Sequence, residues 1–283
     1  MMASYEVLAE ESYKELLSLL EWFSNFSLIP TLIGGWAVFV YNSYFGSIDI
    51  DLVGPSMGGR FLEIIERYER LHNYEEVKLI GLGIEAAYRK PITKQGRFFG
   101  YIEIDACTFE GDVGSFHEDS SKKLSYALCG NPQLVRNVNF DEKLAAYVPK
   151  KPLLFLYKLK AFRDRTFDLK TRGAIMSVEK REWMRTKVER DGADLIALLN
   201  PEPERYVVKE EFDFNVLTQL VEKYNLHFAL ESVKNLLSMK NVLERHGRIE
   251  QRTVEKWAKP LFKKLQEINK KIIDDITKVP KQW

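Results

Sequence analysis

Apolar residues recur at helical spacing near the start of the chain. Leu8, Leu16, Leu17, Leu20 and Phe23 share one side of residues 5–27, which predicts an amphipathic helix. The pattern then shortens. "IPTLIGG" is an apolar run stopped by two glycines and predicts a buried strand, "WAVFVYNSYF" has helical length, and "SIDIDLVG" alternates with period two, a strand signal. "RFLEIIERYERL" returns to helical spacing, and "EEVKLIGLG", "IEAAYRKP" and "GRFFGYIEIDACTF" have strand character between Gly, Pro or polar turns. Helix, strand, helix, strand, helix and a strand meander predict a mixed α/β (α+β) domain over residues 1–148.

From residue 149 the pattern is helical. "PLLFLYKLKAFRDRTFDL" has Pro152 where a helix's first turn tolerates it, and "VEKREWMRTKVERDGADLIALLN" is stopped by Asn200-Pro201. "FNVLTQLVEKYNL", "FALESVKNLLSMKNVLERHG" and "TVEKWAKPLFKKLQEINKKIIDDI" extend the pattern, the last interrupted by Pro260. Residues 149–283 are therefore expected to form a helical domain.

Two aspartates disturb this apolar pattern and carry the first chemical information. In a strand, residues two apart point to the same face, so Asp49 and Asp51 project together while Ile48, Ile50 and Leu52 pack opposite. Adjacent carboxylates repel and are costly to desolvate, and no basic residue adjoins them in sequence. A hard cation such as Mg²⁺, with Mn²⁺ as the substitute, is the economical partner. Glu103 and Asp105 repeat the arrangement in "GYIEIDACTF". If that strand lies beside the first, a third carboxylate joins the pair, enough for metal-assisted chemistry on phosphates. Gly34 and Gly35, between strand and helix, let backbone N–H groups approach a phosphate at a helix N-terminus.

Gly-Gly after an apolar residue, thirteen intervening residues and then Asp-Ile-Asp-Leu resembles the signature of the DNA polymerase β-like nucleotidyltransferase superfamily. The resemblance implies that superfamily's fold for the first domain. It implies a metal triad of Asp49, Asp51 and Asp105 (Glu103 the lesser candidate), and Ser47 close to the phosphates. "VPKKPLLFLYKLKAFRDR" and "KVERDGADLIALL" are similar to the lysine-helix and Arg-Asp-x-x-Asp-Leu segments of AbiEii-type nucleotidyltransferases, many of them toxins of toxin–antitoxin pairs. By that resemblance Lys158 binds nucleotide phosphates, with Lys160 as its rival, and Asp191 helps organise the site. A surface ion pair of Asp191 with Lys187, four residues earlier, is the plainer alternative. One departure is Phe45, where relatives often carry Arg; either another base, such as Arg89, Arg97 or Lys158, neutralises the triphosphate, or nucleotide binding is altered. Residues 166–180 form a longer insertion than the resemblance leads one to expect.

The implied function is transfer of an NMP from an NTP to an acceptor hydroxyl. tRNA or another RNA is the first candidate acceptor, and protein or small-molecule nucleotidylation the next. A nucleotide-sugar transferase also uses Asp-x-Asp, but does not need the upstream glycines. A non-catalytic nucleotide-binding module of antitoxin type is the remaining class, and a toxin would have an antitoxin partner.

Composition narrows these readings only at the margins. A formal net charge of +1 over 283 residues provides no whole-molecule basic field for nucleic acid, leaving local patches such as the lysines of residues 252–283. Cys107 and Cys129 are too few for a disulfide scaffold, and the four histidines lack ligand spacing. Acidic residues near the N-terminus and the lack of an apolar run of spanning length predict a cytoplasmic protein with no membrane contact.

Overall fold

A computed structural model describes residues 2–44, 46–56, 60–77, 85–110 and 124–224, with Leu236 and a few positions between 263 and 270. Phe45, His117, most of the strand expected after Glu76 and the helices expected beyond residue 224 fall largely outside these. The chain divides into two compact units: Met1–Lys150 with Glu204–Lys209, and Lys151–Pro203 with Glu210–Trp283.

The first unit is a mixed α/β structure. Helix α1 (Met2–Ser24) leads to β1 (Thr31–Ile33), α2 (Gly34–Tyr41), β2 (Asp49–Gly54) and α3 (Arg60–Leu71). Strands β3 (Glu75–Glu76), β4 (Ala86–Lys94) and β5 (Arg97–Thr108) follow, then a 3-10 turn at Tyr126–Gly130. The sequence reading did not anticipate β6 (Val135–Asn139) and β7 (Ala145–Pro149), which are short and interrupted by polar residues. The strands form one sheet in the order β3-β4-β5-β2-β1-β7-β6. β2 runs parallel to β5 and β1 parallel to β7, while the other neighbours are antiparallel.

One face of this sheet builds the core. Ile50, Leu52, Ile102 and Ile104 are fully buried on it. α1 lies against the same face, with Leu8 over Gly100 and with Glu15 and Glu11 paired to Lys90 and Lys94 of β4. α3 adds Phe61, stacked on Phe23 of α1 at 5.7 Å between ring centroids. Residues 204–209 return to this unit through backbone bonds, Ser43 N–H to Arg205 C=O and the Val207 and Val208 N–H groups to Val40 C=O. An unbroken helical domain from residue 149 onward did not foresee that return.

The second unit begins with an antiparallel helical hairpin, α4 (Lys151–Arg172) and α5 (Val178–Leu199), followed by α6 (Phe214–Lys223). Ser177 caps α5 by accepting from the Lys180 N–H, and Asp213 caps α6 by accepting from the N–H groups of Asn215 and Val216. The long insertion at 166–180 is the end of α4, a tight turn and the start of α5. Among the described residues no helix is long and apolar enough to cross a membrane.

Gly54 tests how tightly β2 and α3 are packed. A Cβ there would sit 2.3 Å from Cδ2 of the buried Phe61 ring. Gly54→Ala is expected to lose about 1–3 kcal/mol through overpacking, against the smaller backbone-entropy gain of removing a strand glycine. Urea unfolding with an unchanged m-value and a lower midpoint would show it.

Candidate active site

The carboxylate cluster follows from strand register. β2 and β5 are adjacent and parallel, and Asp49 pairs with Glu103 while Asp51 pairs with Asp105. Residues paired across a ladder share a face, so all four acids project from the same side of two neighbouring strands. All four are half-buried, whereas the alternating isoleucines lie under the sheet. The sequence-level choice between Asp105 and Glu103 thus becomes a difference of position. Asp105 stands beside Asp51, and Glu103 stands beside Asp49 and, on its other side, Arg89 of β4.

The glycine pair joins this cluster directly. β1 passes into α2 with no intervening loop, and Gly34 makes the junction at φ +66°. A Cβ at Gly34 would lie 1.8 Å from Oδ2 of Asp51, so glycine is required both for the left-handed backbone and for the space the carboxylate fills. At Gly35 a Cβ would lie 2.7 Å from Oγ of Ser47. Gly34, Gly35, Ser47 and Asp51 are therefore neighbours. The residue preceding α2, Ile33, provides no side-chain cap for the helix's first N–H groups.

The far end of the same face is covered. Tyr126, in the 3-10 turn, is buried close to Asp51, Asp105, Cys107 and Cys129. Burial, reinforced by these negative neighbours, holds its phenol well above the usual tyrosine range. Cys107, two residues past Asp105, is raised likewise, first by burial and then by the Asp105 charge. Its thiol is buried, as a packing residue's is. Tyr126 was not singled out in the sequence, because only the tertiary fold places its turn against β2 and β5.

Among the described residues no group of three or more His, Cys, Asp or Glu is drawn together closely enough to hold a metal ion. The strands supply a shared face and register of oxygen donors. Carboxylate-only chemistry of this kind suits a hard divalent cation and disfavours a soft one.

In the second unit, Lys158 and Lys160 have different surroundings. Lys160 is fully buried and bonded to Asp164 one helical turn away; Arg163 also reaches Asp164, at 2.6 Å. Burial raises the Asp164 carboxyl, with Lys160 and then Arg163 pulling it back. Lys158 faces α5, its Nζ 2.6 Å from Asp194 and 3.7 Å from Asp191. Asp191 is buried and bonded to Arg165. It joins α4 to α5, in place of the local pair with Lys187 that spacing alone offered. Lys187 lies over the Trp183 ring, 5.6 Å from its centroid.

Comparison with known proteins adds no family. No protein-family model matches the chain, and no curated protein matches it.

Two expectations follow. Lys160→Met should destabilise by on the order of 3 kcal/mol, because Asp164 loses its buried partner, while Lys160→Met combined with Asp164→Leu should recover most of that loss in urea titrations. Alkaline pH should also weaken the fold. Cys107 and Tyr126 stay protonated when folded but ionise near pH 8.5 and 10 when unfolded, so the unfolded state loses more protons as pH rises. Stability should fall by about 1.4 kcal/mol per pH unit and per group above those values. Cys107→Ala should flatten the first part of that slope in chemical denaturation between pH 7 and 10.

Proposed function

We propose that this protein is a metal-dependent nucleotidyltransferase that moves an NMP from an NTP to an acceptor hydroxyl, with tRNA or another RNA as the acceptor. The observation that carries the reading is the parallel register of β2 and β5, which lines up Asp49, Asp51, Glu103 and Asp105 next to a glycine turn built around Asp51. Fold and motif together support the superfamily resemblance described above.

Mg²⁺ or Mn²⁺ held by Asp49, Asp51 and Asp105 would supply neutralisation of phosphate charge and acidification of the attacking hydroxyl. The chain's own groups do the rest. The N–H groups of the first turn of α2, beside Gly34 and Gly35, donate to phosphate oxygens, and the Ser47 hydroxyl adds a donor beside them. Asp105 takes the proton from the acceptor hydroxyl as its oxygen forms a bond to the α-phosphorus. The α–β phosphoanhydride bond breaks in line and pyrophosphate departs. By the resemblance, Lys158 is the phosphate ligand that the second unit offers, its ammonium held there by Asp194 and Asp191. Lys160, committed to Asp164 in the interior, is not. Positioning and charge carry such a reaction, with little covalent work for the protein.

The test is label transfer from each α-³²P NTP with Mg²⁺, with total RNA, cell protein and small molecules as separate acceptors. Wild-type protein should label RNA. Asp51→Asn and Asp105→Asn should each lower the rate by about a hundredfold or more while melting as wild type does. Folded variants that transfer at the wild-type rate would remove the proposal, and label on protein alone would change its acceptor.

A further inference from the structure

The carboxylate face of β5 continues into aromatic residues. Tyr101 lies two positions before Glu103 and shares its face; its partner on β4 is Pro91, two positions beyond Arg89. Past Tyr101 the ladder slips. Ile92 pairs with Gly100 but Thr93 pairs with Phe98, so Phe99 is an extra residue, a β-bulge, next to Gly100 at φ +143°. The slip returns Phe98 to the face of Tyr101, where the two rings meet edge to face at 5.2 Å. Both are exposed, Tyr101 at 38% and Phe98 at 54%. The Arg89 guanidinium lies 4.7 Å from the Tyr101 ring centroid and is half-exposed, with Glu75 as a surface ion-pair partner.

The core of the first unit does not account for this ledge, because α1 packs on the opposite face. Exposed rings side by side on a strand mark a contact surface. Two aromatic planes with a stacked guanidinium suit unpaired nucleobases, which stack on rings regardless of sequence while the cation meets the backbone. Sheet order decides which nucleic-acid component fits. The glycine turn lies on the β1 side of Asp51, and the ledge lies on the β5–β4 side. Phosphates seated at the glycines would leave the ledge to the other reactant.

We propose that Tyr101, Phe98 and Arg89 form the docking ledge for unpaired bases of the acceptor RNA, guiding its hydroxyl along β5 towards Asp105. This rests on the nucleotidyltransferase reading, and binding can be measured without turnover. The probe is a 5′-fluorescein-labelled single-stranded RNA 12-mer, titrated by anisotropy with full-length protein and no NTP. Wild type should bind with an affinity that falls steeply with salt. Tyr101→Ala and Phe98→Ala should each weaken binding by about tenfold, and Tyr101→Phe should retain it. Asp49→Asn/Asp51→Asn should bind RNA as well as wild type, so a failure of catalysis alone leaves the ledge standing. Unchanged RNA affinity in the folded Tyr101→Ala/Phe98→Ala variant would overturn the proposal. So would an absence of RNA binding by wild type, or a loss confined to NTP affinity, which would give the ledge to the nucleotide's base.

Discussion

The Asp51 carboxylate occupies the space that a side chain at position 34 would need, and much of the first unit is organised around that exclusion. It requires glycine at the end of β1, and the positive φ there turns the chain into α2 without a loop. The turn brings Gly35 against Ser47, just before β2 begins. One steric contact therefore ties the first strand, the helix start and the acidic strand into a single arrangement. The same contact places a carboxylate at a helix N-terminus, where its charge is favourable.

The two faces of the sheet have divided their duties. The face towards α1 and α3 is apolar, closely packed and stapled at its edge by ion pairs from Glu11 and Glu15. It supplies the burial that holds the fold. The opposite face carries four acids in two directly paired rows, a placement that costs electrostatic energy and returns no packing. Half-exposure keeps that cost tolerable. Natural sequences break local rules chiefly where a site requires it, and among the described residues of the first unit the breach is concentrated here.

How much was legible in the sequence depended on whether the information was local. Period-two alternation gave Asp49 and Asp51 a common face, and Glu103 and Asp105 likewise, because parity is a property of a single strand. Which strands would be neighbours was not readable, since pairing β2 with β5 joins segments about fifty residues apart through an intervening helix and strands. The bulge shows the same limit from another side. Strict alternation from Tyr101 would put Phe98 on the core face, and only the slipped register returns it to the acidic one. β6, β7 and the return of residues 204–209 were missed for a related reason. Their structure comes from what they pair with, such as Thr31 with Tyr147, rather than from any periodicity of their own.

The helical hairpin of the second unit extends this reasoning to charge. Lys158 and Lys160 are two residues apart, so a helix points them about 200° away from each other. The family resemblance offered Lys158 as a phosphate ligand and Lys160 as its rival. Burial separates them, since a lysine without solvent exposure and joined to Asp164 on its own helix is a structural ion pair that is costly to break. Lys158 is held from the other helix, by Asp194 and Asp191, and Asp191 is held in turn by Arg165. Such a chain of alternating charges fixes an ammonium group's position across two elements, which a single surface pair could not do.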